Sequence, residues 1–200
     1  MEQTFARIAR DAPLTPENCV FLLIDHQLFR LANVRSPDPT ILINNVADLA
    51  KTAKAFGIPT ILSTLNAARG SAVFSQLQAI FPDQESINRT SLNAWQDRRV
   101  VDAVATTGRK ILVIAALWTE MCLALPTIHA MGDGYDVYVV TDASAGVTPD
   151  AHDMAIRCLA AVGAQPITRV GLAGELQRAW ARRGRRIPQS TSGSSWPTAT

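Results

Sequence analysis

Of the three cysteines in this 200-residue chain, Cys19, Cys122 and Cys158, one stands where a thiol can act as a nucleophile. Cys122 closes the stretch Lys110-Ile-Leu-Val-Ile-Ala-Ala-Leu-Trp-Thr-Glu-Met-Cys. From Ile111 to Leu117 the run is continuously apolar, the pattern of a strand buried on both faces of a parallel sheet. Trp118-Thr119-Glu120 breaks it. Thr119 is placed as a helix N-cap, and the apolar spacing from Met121 to about Gly132 is helical. The thiol is therefore expected in the first turn of a helix at the carboxyl end of a strand, where open α/β sheets gather their ligands. The N–H groups and partial positive charge of a helix start favour a thiolate and hold an oxyanion. A second strand pattern, Cys19-Val-Phe-Leu-Leu-Ile, ends in Asp25. A carboxylate beside a thiol takes its proton and later returns it to a leaving group. Plainer readings, a core cysteine and a loop or capping acid, use the same residues. Position alone leaves both open.

The elements that must bring these residues together alternate along the body of the chain. After the Cys19–Asp25 strand, with His26 and Gln27 at its mouth, Ser36-Pro-Asp-Pro39 turns into a helix with Ile41, Val46, Leu49 and Ala53 on its apolar face and Gly57 as its stop. Residues 59–64 predict a strand, 66–70 a loop, 73–81 a short helix and 86–89 a short strand or extended segment. Asn93-Ala-Trp95 precedes a helix over about 96–107, closed by Gly108. Beyond the Cys122 helix come a strand over 135–141 with Asp142-Ala-Ser144 at its end, a helix over 149–162, a strand over 164–168 and a helix over 171–181. Such alternation predicts a three-layer α/β/α domain, Rossmann-like, with a central, mostly parallel sheet of about six strands and right-handed crossovers. Residues 1–181 form the expected domain, opening on a polar arm. Residues 182–200, basic and then rich in Ser, Thr and Pro, read as a flexible tail.

Composition bounds the function. Apolar residues make up 48% and charged residues 18% of the chain, a globular balance. A net charge of +2 is too small to argue for nucleic acid. No apolar run reaches the eighteen or so residues of a membrane span, and the first residues lack a signal-peptide core. The cysteines form neither a zinc spacing nor a disulfide frame, so a reducing, cytoplasmic setting is expected. His26, His129 and His152 have no ligand spacing relative to one another. Cys19 and Cys158 lie in apolar patterns and read as core. Trp95 and Trp118 are candidate walls of an active site.

Three stretches carry a specific resemblance. Leu22-Leu-Ile-Asp-His-Gln27, Ala115-Ala-Leu-Trp-Thr-Glu-Met-Cys122 and Gly134-Tyr-Asp-Val-Tyr-Val-Val-Thr-Asp-Ala-Ser144 resemble, in order and spacing, the first-strand acid motif, the nucleophile motif and the following strand of the isochorismatase-like cysteine hydrolase superfamily. The similarity spans about residues 15–180. Phe81-Pro82, Asn93-Ala-Trp95 and Pro126 resemble its YcaC-like branch. The resemblance implies an acid–lysine–cysteine triad, with Asp25 as acid and Cys122 as nucleophile. No lysine lies between Lys54 and Lys110, and Arg89 is the positional match for the basic member. Arginine supplies charge but not a proton. The resemblance also implies a cis peptide between Leu117 and Trp118, with the Trp118 and Cys122 N–H groups as an oxyanion hole. Gln27, Asn93, Trp95, Trp118 and Thr119 are the pocket-lining candidates. The metal-binding histidines of related nicotinamidases are not visible, and neither metal nor cofactor is expected.

The function implied is hydrolysis of a small carboxamide or related C–N bond through a thioester on Cys122. Vinyl-ether hydrolysis of the isochorismatase type, a non-catalytic scaffold and a thiol-redox relative are the alternatives. Relatives form rings and stacked rings, so a homo-oligomer, tetramer or octamer, is expected.

Overall fold

The structure, a computed structural model, describes residues 13–179. The expected 182–200 tail and most of the N-terminal arm lie outside them. Strand β1 (Cys19–Ile24) is followed by α1 (Leu28–Leu31), α2 (Pro39–Phe56), β2 (Thr60–Leu65), α3 (Ala67–Gly70), α4 (Ser75–Ile80) and β3 (Ile87–Arg89). A 3-10 turn (Ala94–Gln96) leads into α5 (Arg98–Thr106) and β4 (Ile111–Ala116). A π-helical turn (Thr119–Leu123) leads into α6 (Ala124–Gly132), and then come β5 (Asp136–Val140), α7 (Pro149–Ala161), β6 (Gln165–Ile167) and α8 (Arg169–Gln177).

The six strands are parallel in the order β3-β2-β1-β4-β5-β6. The two unbroken apolar runs, β1 and β4, pair at the centre from Cys19 beside Ile111 to Ile24 beside Ala116. The three-residue strands β3 and β6 take the edges. Alternation along β1 divides the core: Cys19, Phe21 and Leu23 pack with residues of α2, α4 and α8, and Val20, Leu22 and Ile24 with residues of α5, α6 and α7. Each of these six side chains is at most 1% exposed. Burying a large apolar side chain is worth about 1.5–3 kcal/mol, so the centre of the sheet has no tolerance for a slip in register.

Helix boundaries follow the polar residues beside them. Asp38 accepts from the N–H groups of Thr40 and Ile41 at the start of α2, and Gly57 ends it with φ of 63°. Thr148 caps α7 and Thr168 caps α8; the second cap starts α8 at Arg169, two residues ahead of the expected 171. Two expectations fail outright. Cys158 is exposed, because α7 buries Ala155 and Leu159 and Cys158 lies one residue, about 100°, round from Leu159. Thr119 is not an N-cap: its hydroxyl makes no capping bond, and the turn it opens is π-helical. The short helices α1 and α3 lie in stretches whose sequence predicts no helix. Among the described residues no helix is long and apolar enough to cross a membrane.

Candidate active site

The order in which strands are added to the sheet reverses between β1 and β4. From β1 the chain runs outward to β2 and β3; from β4 it runs outward to β5 and β6. The crevice above such a switch point is the usual ligand site of an open α/β sheet. Asp25 follows β1, Cys122 follows β4 and Arg89 ends β3, so all three stand at the same carboxyl edge.

Asp25 leaves the strand in the left-handed region, φ 59°, a conformation that costs a non-glycine residue of order 1–3 kcal/mol and clusters at functional sites. Its N–H still bonds to the Ser63 carbonyl at 2.9 Å, and its carbonyl accepts from Gln27 N–H at 2.7 Å. The carboxylate is fully buried. Its Oδ2 accepts from Arg89 Nη2 at 2.7 Å, both side chains 0% exposed. Oδ1 is buried without a hydrogen bond of ordinary geometry among the described residues, yet carboxylate and thiol are close enough that each changes the other's proton affinity. Burial pushes the Asp25 carboxyl above its ordinary range; the Arg89 charge and the Cys122 thiol pull it back.

Arg89 is held on every edge. Nε donates to Ser63 Oγ at 3.1 Å, Nη1 to the carbonyls of Ser91 and, at 3.2 Å, Leu92, and Nη2 to Asp25. An ammonium has three donors at one point; this cradle uses four bonds spread over a planar fork. Arginine at this position therefore matches its surroundings in a way lysine does not.

Cys122 is 2% exposed. Burial, first, and then the Asp25 charge push its thiol up to about 12. A helix start lowers a thiol; here removal from water and a neighbouring carboxylate outweigh the backbone. The resting group is a thiol beside a carboxylate. Its N–H donates to the Trp118 carbonyl at 2.7 Å, and that carbonyl also receives Met121 N–H at 3.1 Å and Leu123 N–H at 3.3 Å. The Leu117–Trp118 peptide is cis. Among the described residues the Trp118 N–H makes no hydrogen bond of ordinary geometry, although Leu117 and Ala145 form an isolated parallel bridge beside it. Of the two expected oxyanion donors, Trp118 thus has no bond of ordinary geometry and Cys122 is engaged within its own turn.

The loop after β5 braces this turn. Thr119 N–H donates to Ala145 O at 2.9 Å, Thr119 Oγ1 bonds to His152 Nδ1 at 2.7 Å, and Glu120 Oε1 accepts from Val147 N–H at 3.0 Å. Ser144 Oγ accepts from Ala116 N–H at 3.1 Å and donates to Val140 O at 2.9 Å, tying β4 to β5. His152 carries no sequence signal for this role and lies 33 residues from Thr119; Glu120 sits in the nucleophile motif, which marks its place but not its bond. Ser144 sits in the quoted strand motif, which marks its place but not its bond.

The remaining candidates divide. Trp118 is partly buried at the site, its Nε1 donating to Arg30 O at 2.9 Å. Gln27, fully buried, bonds the backbone of Leu65 and Ser71 and clamps β1 to the loop after β2. Asn93 caps its 3-10 turn and meets His129 Nδ1 at 2.8 Å. Trp95 donates to Asp133 at the far end of α6 at 2.8 Å and packs edge-on against Tyr135. It is core rather than pocket wall. His26 is buried, and burial lowers its imidazole to about 4. No group of three or more His, Cys, Asp or Glu among the described residues is placed to hold a metal ion.

A six-stranded parallel sheet of this order, with an acid and a cysteine at its switch point, defines an open α/β fold with a candidate site at its carboxyl edge. Residues 19–170 match the Isochorismatase domain family model, and the chain belongs to that family of hydrolases. It is similar to the probable hydrolase YcaC of Escherichia coli K12, 40% identical over 169 residues, 84% of this chain and 81% of the relative. The crystal structure of the E. coli YcaC gene product, described as an octameric hydrolase of unknown specificity, superposes with a TM-score of 0.82 at 39% identity over 84% of each chain. YcaC from Pseudomonas aeruginosa, solved with hexane-2,5-diol and covalent acrylamide, gives 0.82 at 37% identity over 85% of each. MAR1 ribonuclease from Caenorhabditis elegans, at 17% identity and TM-score 0.78 over 90% of this chain and 89% of its own, shares the fold.

Proposed function

We propose that the protein is a cysteine-nucleophile hydrolase acting on a small carboxamide or similar C–N bond. The observation that carries this reading is the buried Asp25 carboxylate, held by Arg89 at 2.7 Å and interacting with the Cys122 thiol at the sheet's switch point. Because the resting thiol is protonated, attack and proton transfer go together: sulfur adds to the carbonyl as its proton passes to Asp25. The carbonyl oxygen, now an oxyanion, takes the Trp118 N–H; Cys122 N–H joins as it loosens from the Trp118 carbonyl. Asp25 then protonates the departing nitrogen, the C–N bond breaks and a thioester remains. Water, deprotonated by Asp25, adds to the thioester and returns the free acid and the thiol. Arg89 orients the Asp25 carboxyl throughout, favours its ionised form whenever it has handed its proton on, and gives up no proton itself.

Acrylamide is an electrophile to which thiols add, and the Pseudomonas relative carries it covalently; the same reagent is expected to modify Cys122 here. The deciding experiment is a panel of small amides assayed for ammonia release, with Cys122→Ser as control. Release by the wild type and none by the variant supports the reading. No release across the panel, together with a Cys122 inert to acrylamide, overturns it.

The same reading extends to assembly. Leu28 and Phe29 of α1 are 59% and 52% exposed, and Ile128 and Met154 are 47% and 59% exposed. A homo-oligomer of four or eight subunits would cover such side chains; the E. coli relative is described as octameric.

A further inference from the structure

Asp25 and Arg89 are one buried ion pair, so together they add no net charge to the site. A second cation lies beside them. Arg30 of α1 sets its guanidinium carbon 5.3 Å from the centre of the Trp118 ring and 5.5 Å from that of Phe29. The Trp118 indole N–H donates to the Arg30 carbonyl at 2.9 Å. Backbone and side chain of Arg30 are thus both fixed against the residue that offers an expected oxyanion donor. Its charge reaches Asp25, whose proton affinity it lowers. Among the described residues no carboxylate lies within 4.0 Å of Arg30, and its buried Nε has no acceptor.

A guanidinium steadied by aromatic faces with an unfilled donor is built to receive a planar anion, which it binds through two parallel N–H bonds. We propose that Arg30 is a substrate-binding residue that takes a carboxylate of the substrate, so that the site selects small carboxamides bearing a free carboxylate. This rests on the cysteine-hydrolase reading and names its substrate class. The chemistry is economical: because Arg89 already neutralises Asp25, the Arg30 charge is left for the ligand, and an anion anchored at Trp118 places the rest of a short molecule near Cys122.

The test uses two alkylating reagents of like size and opposite character. Iodoacetate carries the carboxylate; iodoacetamide replaces it with a neutral amide. The rate of each at Cys122 is followed by peptide mass spectrometry in the wild type, Arg30→Met and Arg30→Lys, with the exposed Cys158 as reference within the same molecule. The iodoacetate-to-iodoacetamide ratio cancels changes in intrinsic thiol reactivity. Normalised to Cys158, it should fall about three- to tenfold in Arg30→Met, at or below the low end of what local charge does to encounter rates, and less in Arg30→Lys. The wild type gives a second reading that needs no variant: millimolar acetate, but not acetamide, should slow iodoacetamide at Cys122. Equal ratios in the three proteins, or equal effects of acetate and acetamide, overturn the Arg30 assignment and leave the hydrolase reading standing. If Cys158 reacts in the wild type while Cys122 reacts with neither reagent, the hydrolase reading falls and this inference with it.

Discussion

In the proposed mechanism Cys122, Asp25 and Arg89 work as one unit, and substituting each tests its role. Cys122→Ser keeps the shape of the turn but raises the barrier to forming the nucleophile, so ammonia release should vanish while the unfolding midpoint stays near wild type. Asp25→Asn removes the proton acceptor and should cost roughly 10²–10⁴ in rate, the usual scale for a missing general base; turnover at the wild-type rate would take Asp25 out of the mechanism. Arg89→Met strips the partner from a fully buried carboxylate, a loss of about 3–5 kcal/mol in stability where such a pair is broken on one side, read from denaturant midpoints. It also has a signature that a packing defect lacks. Arg89 lowers the Asp25 proton affinity, so without it the acid limb of the rate-against-pH profile should move to higher pH. Arg89→Lys restores charge but not the fork and should lie between. A limb that stays in place in both variants would mean that Arg89 does not govern Asp25.

At the scale of elements, the turn that carries Cys122 is set by what packs behind it. The loop after β5 passes between Glu120 and α7, and Gly146 leaves it room: a Cβ there would meet Glu120 Oε2 at 2.8 Å and His152 N at 2.9 Å. The carboxylate can swing aside; the helix backbone cannot. Gly146→Ala should therefore displace the loop whose Ala145 carbonyl holds Thr119 N–H, at a stability cost of about 1–3 kcal/mol and a larger proportional loss of turnover. Thr119→Val, which keeps the bulk and loses the bond to His152, isolates that contact. Activity unchanged in both variants would show that the brace has no part in aligning Cys122.

Across the whole molecule, acid sensitivity and assembly are the measurable consequences. Burial lowers His26 from 6.5 to about 4, so the unfolded chain binds a proton in a pH range where the native state does not. That contribution is fully present above pH 6.5 and is lost as pH falls towards 4, on the order of 3 kcal/mol. Asp25 works in the opposite sense: its raised native affinity favours the folded state as pH falls. Urea unfolding at pH 7 and pH 4.5 should show a smaller loss in His26→Gln than in the wild type, and equal losses would remove His26 as the cause. The exposed apolar side chains of α1, α6 and α7 predict a species several chains in mass by sedimentation at micromolar concentration; a monomer there would overturn the homo-oligomer.

Apolar runs, turn residues and caps carry local information, and they sufficed for six strands, the alternation with helices, and Asp25 and Cys122 at strand ends. They sufficed because burial of a continuous run and capping of a helix depend on near neighbours in the chain. What only the tertiary structure decided depends on residues far apart. Strand order puts β1 beside β4 and so makes one site of two strand ends. Burial, a property of the assembled core, raises the Cys122 thiol where a helix start lowers it. The four-bond cradle of Arg89 draws on Asp25 and Ser63, 64 and 26 residues away. His152 behind Thr119 and Arg30 against Trp118 likewise bridge segments joined only through the folded sheet. No period, cap or spacing marks them, because their energies arise in contacts that the linear chain does not contain.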